Sequence, residues 1–94
     1  MYVILVYDIK LDDSTGQRVL RNVFKICKKY LTHIQNSVFE GSLSDVQYLK
    51  LKIELNKFLR DEKDSCLMFK SRNEKWLEKE FLVKETKDKT TRFL

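Results

Sequence analysis

The chain opens with Tyr2-Val3-Ile4-Leu5-Val6-Tyr7, a continuous apolar run rich in β-branched and aromatic side chains that ends at Asp8. So short a run suits a central strand buried on both faces better than a helix. After the polar Lys10-Leu11-Asp12-Asp13, Ser14 and Gln17 stand at capping-box spacing and predict a helix start, with Gly16 a small cost in its first turn. Leu20, Val23, Phe24, Cys27 and Leu31 recur at helical spacing, and Arg18, Arg21, Lys25, Lys28 and Lys29 take the outer side. From Thr32 to Gly41 the pattern alternates around Ile34, Val38 and Phe39, with Gln35-Asn36 a bend dividing two short strands. Ser44 and Gln47 repeat the capping-box spacing and open a second helix with the stripe Tyr48, Leu51, Leu55, Phe58 and Leu59. Arg60 and Lys63 flank its end, where cations favour the helix dipole. Ser65 to Lys70 reads as a further strand, and Trp76 to Val83 fits either strand or helix.

This order predicts an α+β fold, a ferredoxin-like β-α-β-β-α-β sandwich with an antiparallel sheet and both helices on one face. Residues 1–94 make a single domain, and 43% apolar residues with no proline mark a compact fold rather than a disordered chain. The uncovered sheet face needs a partner surface, so a homodimer is expected. About residues 76–94 are read as an extension that adds a strand to a neighbouring edge.

Charge changes the picture next: 19 Lys and Arg against 14 Asp and Glu leave +5, which favours a polyanionic partner. Lys10, Arg18, Arg21 and Lys25, with Lys70 and Arg72 after the last strand, are the candidate nucleic-acid contacts, reading backbone and shape rather than stacked bases. With one histidine, His33, expected as an ordinary sheet residue, and no glycine-rich phosphate loop, Gly-x-Ser-x-Gly turn or Cys-x-x-Cys pair, most enzyme classes lose support. Cys27 and Cys66 sit in apolar runs as reduced thiols. Neither a signal peptide nor a membrane span is evident, so a cytoplasmic protein without membrane contact is expected. Asp8 stands out: a carboxylate at the end of a rigid strand either caps a turn or binds metal. One carboxylate does not cage Mg²⁺, but two Asp8 copies across a twofold axis supply two, and such a pair binds metal more tightly as pH rises.

Three passages, Tyr7-Asp8-Ile9, Gln35-Asn36-Ser37-Val38-Phe39-Glu40-Gly41 and Asp64-Ser65, together resemble the CRISPR-associated endoribonuclease family, the small adaptation protein among the two general spacer-acquisition proteins. The resemblance implies a ferredoxin-like homodimer with one Mg²⁺ shared by two Asp8. It implies a role in which the dimer bridges dimers of the larger CRISPR integrase and holds duplex DNA during spacer integration. It also implies an Mg-dependent endonuclease acting on single-stranded RNA or duplex DNA, with Asp8 the catalytic metal ligand. Tyr7 and Phe39 match the motif and, with Phe81 and Val83 of the extension, are the expected dimer or partner interface. Leu31 and His33 stand where the family often has glycine and arginine, which weakens the nuclease reading, because histidine is only partly charged near neutrality. The alternative is a toxin-type metal-dependent ribonuclease of similar fold outside CRISPR.

Overall fold

The computed structural model describes residues 1–83. Its elements are β1 (Tyr2–Asp8), α1 (Ser14–Tyr30), β2 (Thr32–Gln35), β3 (Val38–Ser42), α2 (Asp45–Asn56) and β4 (Ser65–Ser71), followed by a 3₁₀ turn at Glu74–Trp76. The strands form one sheet in the order β2-β3-β1-β4, antiparallel at every junction. Two interleaved β-α-β units produce this order, which is the ferredoxin-like plan the alternation of elements predicts.

Register decides which side chains meet the helices, because residues paired across strands share a face. Leu5 pairs with Phe39 and Met68, and Tyr7 pairs with Cys66. Val3, Leu5, Tyr7 and Phe39 therefore look towards α1 and α2, where Val19, Val23, Ile26, Cys27, Leu51 and Leu55 complete one core. β1 is not evenly buried as expected: Ile4 and Val6, on the opposite face, remain half-buried. Among the described residues no helix lies over that side.

Local chemistry accounts for the element ends. The cap of α1 is Asp13, one residue before the expected Ser14, and its carboxylate accepts from the Gly16 N–H at 2.8 Å. Gly16 is no helix defect: a Cβ there would stand 2.2 Å from the Lys10 carbonyl oxygen, so only glycine admits the loop that leaves β1. The α2 capping box forms as expected, Ser44 Oγ accepting from the Gln47 N–H at 3.1 Å and Gln47 Oε1 from the Ser44 N–H at 2.9 Å. α2 ends at Asn56, so Phe58, Leu59 and Arg60 lie beyond it and Arg60 serves a different partner. Asn36 takes φ 41° in the β2–β3 turn, a conformation asparagine tolerates well.

The extension differs from expectation. Residues 77–83 form neither strand nor helix, and residues 84–94 lie outside the described residues. Lys79 ion-pairs with Glu40, which ties the chain after the 3₁₀ turn to β3.

Replacing Gly16 with alanine tests the close approach. Alanine gains about 1 kcal/mol of helix propensity, yet a Cβ forced against backbone costs about 3 kcal/mol. Gly16→Ala is expected to lower the urea midpoint by an amount equal to about 2 kcal/mol; an unchanged or raised midpoint contradicts the reading.

Candidate functional site

Asp8 ends the β1 row Tyr2, Ile4, Val6, Asp8, whose register partners on β4 are Ser71, Phe69, Leu67 and Ser65. On the other side Val6 meets Val38 and Ile4 meets Glu40. Among the described residues this face has no helix over it, and it carries Leu67 and Phe69 at 55% and 54% exposure. Asp8 is exposed, and its carboxylate makes no hydrogen bond or ion pair among the described residues. A single chain thus presents an apolar sheet face with one free carboxylate at its end. Among the described residues no three His, Cys, Asp or Glu side chains gather as a metal cage.

The backbone around Asp8 is tightly held. The Tyr7 N–H donates to the Ser37 carbonyl at 3.2 Å, joining β1 to the β2–β3 turn. Beyond Ile9, which is buried, the Lys10 N–H donates to Asp64 Oδ1 at 3.1 Å and the Lys10 carbonyl accepts from Arg60 at 2.8 Å. Arg60 and Asp64 form a two-pronged pair, Nε to Oδ2 and Nη2 to Oδ1, each at 2.9 Å, and the Arg60 N–H also donates to Oδ2. The Asp64 side chain is fully buried by this, and the Arg60 side-chain hydrogen bond, with backbone donors from Arg60 and Lys10, outweighs burial and holds its carboxyl down to about 2. Asp13, the α1 cap, receives Arg60 at 3.7 Å and Lys63 at 3.6 Å. The sequence offers Asp64 and Arg60 only as neighbours at helical spacing; what they clamp is a loop fifty residues earlier, invisible without the topology.

The basic candidates fall into two groups. Arg18, Arg21 and Lys25, with Lys28, are exposed at the spacing of one stripe along α1, and Lys10 lies exposed in the loop before it. Lys70 instead joins Lys52 at the Tyr48 ring, with ammonium nitrogens 5.0 Å and 4.9 Å from its centre. Lys52 is missed from sequence, although its position four residues after Tyr48 on α2 is a signal for the contact. Arg72 is exposed just past β4.

Comparison with known proteins decides the family. The family model described as CRISPR associated protein Cas2 matches residues 1–79. The chain belongs to the Cas2 family. A protein of Fusobacterium nucleatum named CRISPR-associated endoribonuclease Cas2 is 57% identical over 94 residues, covering 100% of this chain and 87% of that protein. One from Halalkalibacterium halodurans named CRISPR-associated endonuclease Cas2 is 37% identical over 73 residues, 78% of this chain and 76% of that protein. The crystal structure of Streptococcus pyogenes Cas2 at pH 6.5 superposes with a TM-score of 0.71 at 29% identity, covering 86% of this chain and 100% of that one. The resemblance carried by the three motifs is the family relationship, and the chain is a CRISPR adaptation protein rather than a toxin-type ribonuclease outside CRISPR.

Within this Cas2 fold the motif aromatics need a correction. Tyr7 and Phe39, expected at a dimer or partner interface, are 5% and 0% exposed, because their register positions face the helices; their rings stack 6.0 Å apart inside the protomer. Burial pushes the Tyr7 hydroxyl up to about 12. Phe81 and Val83 are exposed, as an interface requires. His33 lies in β2, as expected of a sheet residue; its ring packs 4.8 Å from Phe39 and 5.1 Å from Phe24, and its Nε2 lies 2.7 Å from the Asn36 carbonyl. A carbonyl only accepts, so Nε2 carries a proton and is engaged in the turn. Cys27 is fully buried and its thiol is pushed up to about 12 by burial, which makes it an inert core residue. No helix among the described residues is long and apolar enough to cross a membrane.

The Asp64 clamp predicts a pH dependence. A carboxyl depressed from its ordinary 3.8 to about 2 contributes roughly 2 kcal/mol above the unfolded value, lost as pH falls through the folded one. Asp64→Asn is expected to be less stable than the native chain at pH 7, with the gap closing between about pH 5 and pH 2. Thermal melts across that range check it; a gap independent of pH contradicts the clamp.

Proposed function

We propose that the chain works as a homodimer joined through the open sheet face, in which two Asp8 carboxylates share one Mg²⁺. The reading rests on one observation: Asp8 belongs to the same row as the half-buried Ile4 and Val6, beside the exposed Leu67 and Phe69, so covering this apolar face with a second copy brings both carboxylates towards one interface. The donor chemistry fits, since a free carboxylate oxygen is a hard ligand and Mg²⁺ needs only one or two of them. Phe81 and Val83, exposed where the chain returns past Glu40, extend the pairing surface to the partner or to the larger CRISPR integrase.

In this role the dimer bridges two integrase dimers and holds duplex DNA during spacer integration in the cytoplasm. The α1 stripe of Arg18, Arg21 and Lys25, with Lys10 and the Lys70 and Arg72 group, supplies phosphate contacts that fix position without reading bases. A second function, endonuclease action on single-stranded RNA or duplex DNA, is favoured by the rigid placement of Asp8. Bound Mg²⁺ supplies charge neutralisation and an acidified water there. Asp8 binds and orients; the Asp64–Arg60 clamp keeps the β1 exit from shifting; the basic stripe holds the phosphate chain. His33 pairs with Phe39 and so lies on the helix side of the sheet, away from the Asp8 row, and supplies no general base there.

Two variants separate these parts. Phe69→Glu puts a charge on the open face without touching the core, and sedimentation velocity is expected to show monomers where the native chain gives dimers; dimers in both overturn the interface. Asp8→Ala is expected to keep the dimer, and to lose cleavage of RNA and duplex DNA that in the native chain requires Mg²⁺. Cleavage that survives in Asp8→Ala overturns the metal role. No cleavage by either, with integrase and DNA binding intact, keeps the scaffold and removes the enzyme.

A further inference from the structure

α2 is apolar on two opposite sides. Leu51 and Leu55 point into the core, while Val46, Leu49 and Ile53 point away from the sheet at 62%, 54% and 51% exposure. Three branched apolar side chains at positions i, i+3 and i+7 form one outward seam, the a, d, a spacing by which helices pack against helices. Exposed apolar residues scattered singly need no explanation, but a seam at helical spacing on an otherwise regular surface helix does.

The surroundings say what fits it. With Val46 and Ile53 as a positions, the flanking e positions are Lys50 and Lys57 and the g positions are Asp45 and Lys52, three cations to one anion. Beside the seam, between the end of α1 and α2, lies a cleft of about 460 Å³ lined by Lys29, Tyr30, Gln47, Lys50, Ile53 and Glu54. Glu54 does not offset the lysines towards an outside partner, since it is held by Tyr30 and by Lys29 at 3.1 Å; the Tyr30 hydrogen bond and then Lys29 keep its carboxyl below the usual range. In the parallel sense a second copy of α2 would set Lys52 against Lys57 and offer only Asp45 to Lys50, and with Ile53 over Leu49 of an antiparallel copy lysines face lysines, so a second copy complements the flanks less well than an acidic helix does.

We infer that the outer seam of α2 is a docking surface for an amphipathic helix of a different protein, with apolar residues on its inner stripe and acidic residues on its flanks. The side chains of the seam and those of the open sheet face lie on opposite sides of the molecule, so both surfaces can be occupied at once. The surface is therefore distinct from the proposed dimer contact and does not rest on it.

A synthetic probe makes the test direct: a fluorescent peptide of about three heptads with leucine at a and d and glutamate at e and g, and its counterpart with lysine at e and g. By fluorescence anisotropy the acidic probe is expected to bind the native chain at least tenfold more tightly than the basic one. Leu49→Glu with Ile53→Glu is expected to abolish binding. Lys50→Glu with Lys57→Glu, which changes only exposed charges, is expected to invert the preference. Phe69→Glu is expected to bind the acidic probe as the native chain does, whatever its oligomeric state. Binding of neither probe, equal binding of both, or acidic-probe binding that survives Leu49→Glu with Ile53→Glu overturns the inference; so does native self-association that disappears in that double variant, which would make a second copy the occupant.

Discussion

Much in this molecule follows from a sheet whose helices, among the described residues, cover one side only. β1 runs through the middle of that sheet and is apolar at nearly every position, so alternation sends Val3, Leu5 and Tyr7 into the helix-packed core and Ile4 and Val6 to the opposite face. The first set is satisfied within the chain. The second is not, and at about 25 cal/mol per Å² of apolar surface removed from water, leaving it exposed beside Leu67 and Phe69 forgoes several kcal/mol that a chain of this size needs. That unmet burial is the physical reason to expect a partner, and Asp8 is carried on the same row.

The polar clamp at the end of β1 has a different task. A carboxylate contributes to a site only if its backbone stays where the strand leaves it, and the loop after Asp8 has no strand partner of its own. Asp64 and Arg60 hold Lys10 by both its N–H and its carbonyl, Asp13 ties the start of α1 to the same arginine, and Gly16 lets the loop lie against the helix. Asp64 is the second residue of that kind in the motif passages, and its role is to build the frame rather than to touch a ligand.

The order of elements was legible in the sequence because each is signalled locally: the apolar run of β1, the Ser44 and Gln47 capping box, the alternation that breaks at Gln35-Asn36. The sequence pattern points to Ser14 as the α1 cap where the structure uses Asp13, because both are good caps one position apart and only the loop's path chooses between them. The motif marks Tyr7 and Phe39 without saying which side of the sheet they face; register, which needs the strand order, settles that. Charge alone puts Lys70 with Arg72 as a phosphate contact after the last strand, whereas the fold keeps it within β4 and sets its ammonium over the Tyr48 ring of α2. What reaches across the chain is what a single sequence hides.

In the proposed dimer two chains share one divalent ion through Asp8. Titrating the native chain with Mn²⁺ in place of Mg²⁺, followed by electron paramagnetic resonance, tests it without reference to cleavage. Saturation is expected at one ion for every two chains, with loss of that site in Asp8→Ala. Saturation at one ion per chain, no bound ion at all, or binding unaffected by Asp8→Ala would contradict it.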